Sequence, residues 1–92
     1  MYKTIDDIKL NLGRKHKIIQ AKVNWSPKHK DDLIQGAVFV ELPNEYVAWS
    51  IFSHDNGESF NCEWGSYSVI KTDEAFEETW HTYQDKVRRI CP

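Results

Sequence analysis

An Asn56-Gly57 pair stands between two segments that alternate apolar and polar residues, 46–53 and 58–67. Asn-Gly accepts positive φ at both central positions of a type I′ turn, whose twist suits a tight β-hairpin. With these as the loop residues, Asp55 pairs with Glu58, Ser53 with Phe60, Ile51 with Cys62 and Trp49 with Trp64. Val47, Trp49, Ile51, Phe60, Cys62 and Trp64 then share an apolar face, and Ala48, Ser50, Phe52, His54, Asn61, Glu63 and Tyr67 lie opposite. A slip of one residue would turn Asn61 and Glu63 inward, so the pattern defends its register. One apolar and one mixed face predict a sheet covered on one side only.

Two more strands precede this hairpin. From 15 to 25, Ile19, Ala21, Val23 and Trp25 point one way and Ile18, Gln20, Lys22 and Asn24 the other. Ser26-Pro27 ends that strand, and 28–35 reads as an exposed polar loop. Residues 37–42 form the next strand, with Val38, Val40 and Leu42 on one face, and Pro43-Asn44 turns the chain. Near the start, Thr4 caps a short helix with Asp7 reaching back, Ile5, Ile8 and Leu12 on one face and Gly13 as C-cap. A strand over 9–12 is the competing reading.

Residues 72–90 close the domain as a helix, capped by Thr72 or Asp73. Phe76, Trp80, Tyr83, Val87 and Ile90 repeat at helical spacing. Acids lead (Asp73, Glu74, Glu77, Glu78) and bases trail (Lys86, Arg88, Arg89), matching the helix dipole. The apolar stripe is expected on the Trp49–Trp64 face. The expected fold is a single α+β domain over 1–92. It is a four-stranded antiparallel β-meander with a short N-terminal helix and a long C-terminal amphipathic helix packed on one face.

Ninety-two residues allow one hydrophobic core, and four Trp, four Tyr and four Phe can fill it without metal or disulfide. The two cysteines, Cys62 and Cys91, and an N-terminus without an apolar run point to a reducing cytoplasm, that of the host cell if the chain is phage-encoded. No stretch reaches the roughly 20 apolar residues that span a bilayer.

Charge is unevenly spread. Residues 1–30 carry eight Lys/Arg against Asp6 and Asp7, whereas 31–92 carry four Lys/Arg against twelve Asp/Glu. Such asymmetry suggests a charged partner. Arg14, Lys15, His16 and Lys17 precede the first strand, Lys22 projects from its polar face, and Lys28, His29 and Lys30 follow it. Together they compose a stripe suited to phosphates. Phe52 and Tyr67, with Phe39 and Tyr46, are candidate outward aromatics for stacking bases, and Tyr46, Phe52 and Tyr67 for anchoring a protein partner.

Catalytic constellations are weak. Cys62 falls on the core face and His54 on the other, so they do not form a nucleophile–base pair. His54, Cys62, His81 and Cys91 lack the tight spacing of a structural zinc site. Asp55, Glu58 and Glu63 have no cleft to hold them, and the glycines form no phosphate loop. No enzyme activity, cofactor, metal or small-molecule substrate is expected.

The small single-domain layout and the opposed charges (Arg14–Lys17 and Lys28–Lys30 against Glu58–Glu63 and Asp73–Glu78) resemble small phage and mobile-element anti-defence proteins, including type I-F anti-CRISPR proteins. The resemblance implies a non-catalytic inhibitor that binds a host protein or ribonucleoprotein complex and blocks access to target nucleic acid. The alternative is a small nucleic-acid-binding or regulatory protein using the 14–30 segment.

Overall fold

The computed structural model describes residues 8–13, 15–25, 33–68 and 71–90, with 64–68 described by their backbone. Four strands, β1 (Lys17–Asn24), β2 (Ile34–Glu41), β3 (Tyr46–Ser53) and β4 (Asn61–Ser68), form an antiparallel meander in the order β1-β2-β3-β4, followed by α1 (Asp73–Ile90). The α+β class, the meander and the C-terminal helix therefore stand as read from the sequence. Among the described residues, no helix is long and apolar enough to cross a membrane.

The expected N-terminal helix is not seen. Residues 8–12 run extended, and Leu10 makes a parallel bridge to Phe60; the proposed cap, Thr4 to Asp7, lies outside the described residues. The Phe60 N–H donates to the Lys9 carbonyl and the Asn11 N–H to the Phe60 carbonyl, both at 2.8 Å. A short helix is marginal on its own. These two sheet-like bonds satisfy the backbone where a helix would have had to satisfy itself.

The helix covers the face opposite the expected one. Tyr83 packs with Ala37, Phe39 and Ala48, and Ile19, Tyr46, Trp80, Val87 and Ile90 close round them. Val38, Val40, Val47, Trp49, Ile51 and Phe60 form the other core, covered by Ile8, Leu10 and Leu12. The sheet is thus buried on both sides. Side-chain size explains the choice. Ala37, Ala48 and Ser50 leave a trough around Phe39 that admits a helix, whose own contact row includes the small Ala75 and Thr79. The Trp49 face is filled by large side chains and needs only a thin extended cover. Because Ala75, Thr79 and Tyr83 form the buried row, Phe76 lies at its margin, 38 % exposed, with its ring 4.9 Å from Phe39.

Two bulges alter the expected registers. In β1 the pairing jumps between Ile18 and Gln20, so Ile18 joins the Trp49 core and Ile19 the helix-side core. Strict alternation had put Ile19 with Ala21 and Val23. In the β3–β4 ladder Ile51 pairs with Cys62 as expected, but Trp49 pairs with Gly65 rather than Trp64. One extra β4 residue produces that shift.

The hairpin turn has the expected local form, with φ of 58° at Asn56 and 86° at Gly57. Beyond it, Phe60 pairs with the N-terminal segment instead of Ser53. Ser53 turns its hydroxyl to the loop, donating to Asp55 Oδ1 at 2.7 Å and accepting the Gly57 N–H at 2.8 Å. A Cβ on Gly57 would lie 2.6 Å from the Trp25 ring, so the loop is capped by that indole. At Gly36, opposite Val23 in β1, an added Cβ would lie 2.6 Å from the Lys22 carbonyl oxygen. A side chain there would push the edge strand off the sheet. Thr72 caps α1, its Oγ1 accepting the Ala75 N–H at 3.0 Å.

Candidate functional site

β1 begins and ends the site. It stands at one end of the sheet order, and its helix side carries Lys17, Gln20 and Lys22. At its N-terminal end Lys15, His16 and Lys17 meet Glu41, Leu42, Pro43 and Lys71 around an open pocket of about 320 Å³. Lys17 is directly across from Glu41, and Glu41 from Tyr46, so cation, carboxylate and aromatic ring lie in one row across three strands.

Lys71 is fastened to that row. Its Nζ donates to Glu41 Oε2 at 2.8 Å and lies 5.6 Å from the Tyr46 ring centroid. The Lys71 hydrogen bond holds the Glu41 carboxyl below its ordinary pKa, and the Lys17 charge adds to the effect. A partly exposed pair of this kind contributes at most about 1 kcal/mol. Its role is to position Lys71 beside the β1 lysines.

Farther along β1, Lys22 and Gln20 face α1 across a second groove of about 300 Å³. Trp80, Tyr83, Gln84, Val87 and Arg88 form its other wall. Arg88 also donates to Asp85 Oδ1 at 3.2 Å, with both groups exposed. Lys17 in the first and Gln20 and Lys22 in the second lie on the same face of β1.

Of the basic residues singled out from the sequence, Lys15, His16 and Lys17 meet at the pocket by the N-terminal end of β1, and Lys22 stands apart in the groove farther along the strand. Arg14, Lys28, His29 and Lys30 lie outside the described residues. Lys71 and Arg88 were missed. Lys71 is the lone base among twelve acids between 31 and 85, and Arg88 reads as an ordinary dipole-matching residue. A base directly before a helix cap was the only local signal for Lys71.

The aromatic face does not stand open as expected at Phe39 and Tyr46, because α1 packs against it there. Tyr46 is half-buried, with its ring 5.8 Å from Phe39 and 5.4 Å from Phe76. Phe52 is half-buried and makes an edge contact with His54 at 5.2 Å. Tyr67 pairs with Val47 in the sheet; its side chain lies outside the described residues.

Cys62 packs against the Trp49 core and is the wrong thiol for nucleophilic work. Burial pushes it up to about 11 from its ordinary 9.0. A neutral thiol is a poor nucleophile. Alkylation of Cys62, read by peptide mapping apart from Cys91, is therefore expected to be slow at pH 8 in the native protein and fast in denaturant; equal rates would contradict this burial. The folded state keeps a proton that the unfolded chain loses between pH 9.0 and about 11. Stability fully present below pH 9.0 is lost as pH rises through that window, and Cys62→Ala should lessen the decline.

Asp55 is tied into the loop. Its carboxyl is held well below the usual carboxylate range, first by the Ser59 hydroxyl, then by Ser53 and the Ser59 N–H. These bonds explain Asp55 as a turn-forming residue. Among the described residues, no group of three His, Cys, Asp or Glu side chains is placed to hold a metal ion.

No protein-family profile, curated protein or solved structure matches this chain.

Proposed function

We propose that the chain is a non-catalytic binding protein that engages the nucleic-acid component of a host nucleoprotein complex through β1 and blocks access to it, as phage anti-CRISPR proteins do. The observation that carries this reading is that Lys15, Lys17 and Lys71 meet at one end of the edge strand β1 and Lys22 stands farther along the same face of that strand as Lys17. Cations clustered along an edge gain affinity for a polyanion by releasing its counterions. The acidic remainder of the chain favours one orientation over others by repelling phosphates elsewhere.

Lysines on an edge strand have a second physical role, which is to deter strand-to-strand association. The two roles separate on substitution. The variant Lys15→Gln/Lys17→Gln/Lys22→Gln/Lys71→Gln is expected to stay folded and to keep the oligomeric state of the wild-type protein. It should lose capture of the nucleoprotein complex and the block on target binding by about a hundredfold or more. The residual salt dependence should fall by about 0.7 in log–log slope for each lysine that had met a phosphate of a single strand. Undiminished capture and block by this variant, or aggregation as its sole defect, would overturn the assignment.

A further inference from the structure

The groove between β1 and α1 differs in kind from the lysine pocket beside it. Trp80 and Tyr83 form an aromatic wall, their rings 5.3 Å apart and tilted by 35°. Tyr83 is buried and Trp80 half-buried, so the indole presents part of its surface to the opening. Gln84 supplies an amide group with both donor and acceptor, and Gln20 one whose oxygen also accepts the Ala21 N–H at 3.2 Å. Lys22 and Arg88 stand at the rim. An aromatic surface, two amides and two cations provide for three parts of a nucleotide: its base face, its base edge and its phosphate.

The neighbouring pocket extends this provision. Lys17 and Lys22 lie on the same side of one strand, five residues apart in the chain, which is on the order of 17 Å. A ligand that satisfies both places needs anionic charge repeated along its length. Two carboxylates flank the path, Glu41 against Lys71 at 2.8 Å and Asp85 against Arg88 at 3.2 Å. The excess positive charge therefore comes from Lys15, just before β1, and from Lys17 and Lys22 along it.

We infer that the ligand of this path is single-stranded nucleic acid, with one base seated in the Trp80–Gln84 groove and the phosphates running along β1 to the Lys15–Lys17 pocket. This rests on the function proposed above and names the form of nucleic acid that is gripped. A duplex keeps its base faces stacked and offers nothing to an aromatic wall, whereas a single strand presents each base for stacking. A volume of about 300 Å³ lies at the small end of ligand sites and suits one nucleotide rather than a double helix.

Fluorescence anisotropy with a labelled oligothymidine of roughly 12 nucleotides, and with a duplex of the same length, tests the inference. The single strand should bind about tenfold more tightly. Trp80→Leu should weaken it by about 5- to 100-fold, the worth of one stacked base, whereas Trp80→Phe should stay within about threefold. Gln84→Ala should weaken binding several-fold without lowering Tm, and decides the matter if Trp80→Leu does not fold. Equal affinity for duplex and single strand, with Gln84→Ala unchanged, would overturn the groove assignment. Loss of nucleoprotein capture only in the four-lysine variant would then leave the proposed function standing. Failure of both nucleic-acid forms to bind the wild-type protein would also overturn the inference, and capture of the complex would judge the broader function separately.

Discussion

Replacing Phe39 by Ala is expected to cost about 3–5 kcal/mol, the usual loss for a fully buried aromatic in a core that cannot collapse around the gap. Phe39 has no exposed surface, and its ring is 4.9 Å from Phe76, 5.8 Å from Tyr46 and 6.0 Å from Trp80. It is the sheet residue on which three aromatic rings converge. Ala37 and Ala48 beside it cannot expand to fill the space. A domain of this size has a total stability of only about 5–15 kcal/mol. Urea unfolding of Phe39→Ala should therefore begin at far lower concentration, and α1 should lose amide-exchange protection first. A wild-type midpoint would mean that α1 does not pack on this face.

Phe60→Ala should be equally costly, about 3–5 kcal/mol, but for a different set of contacts. Phe60 is fully buried on the other side of the sheet, meets Trp25 edge-on at 6.0 Å, and holds the N-terminal segment through two 2.8 Å backbone bonds. Those bonds belong to the backbone and survive the substitution in principle. What disappears is the ring that packs with Leu10 and Ile8. The expected signature is a lower midpoint accompanied by faster tryptic cleavage after Lys9, with α1 still protected. Loss of protection in α1 before the N-terminal segment would show that the two cores are not separately anchored.

β2 sends core residues to both faces of the sheet. Val38, Val40 and Leu42 were assigned to a core face, yet Ala37 and Phe39, on the other face of the same strand, are just as buried. The run Ala37-Val38-Phe39-Val40 has no polar alternate position, which is the mark of a strand covered on both sides. Giving that run its full weight would have predicted two cores. It would not have said which was covered by helix, because that depends on the depth of the trough beside Ala48 and Ser50.

The candidate site was half legible. Lys17 and Lys22 belong to one strand and Lys15 stands two residues before it, so their placement along β1 needs only local geometry. Lys71 comes to them through the Glu41 bond, across 30 positions of the chain. Trp80 and Gln84 reach Lys22 only because α1 lies on the Phe39 face. Had the helix taken the Trp49 face, Lys22 would have had no aromatic wall opposite it.

By itself the sequence determined what is set over a few residues: positive φ at Asn56 and Gly57, the Ile51–Cys62 pairing, the Thr72 cap and the charge order of α1. These follow from steric limits, side-chain periodicity and the helix dipole. Only the tertiary structure decided which layer covers which face of the sheet, where the bulges at Ile18/Gln20 and Trp49/Ile51 fall, and that 8–12 runs extended instead of helical. Each of those outcomes is a competition between packings of similar apolar area. Such competitions are settled by side-chain volume and by which backbone groups find partners, and neither is a property of any short stretch of chain.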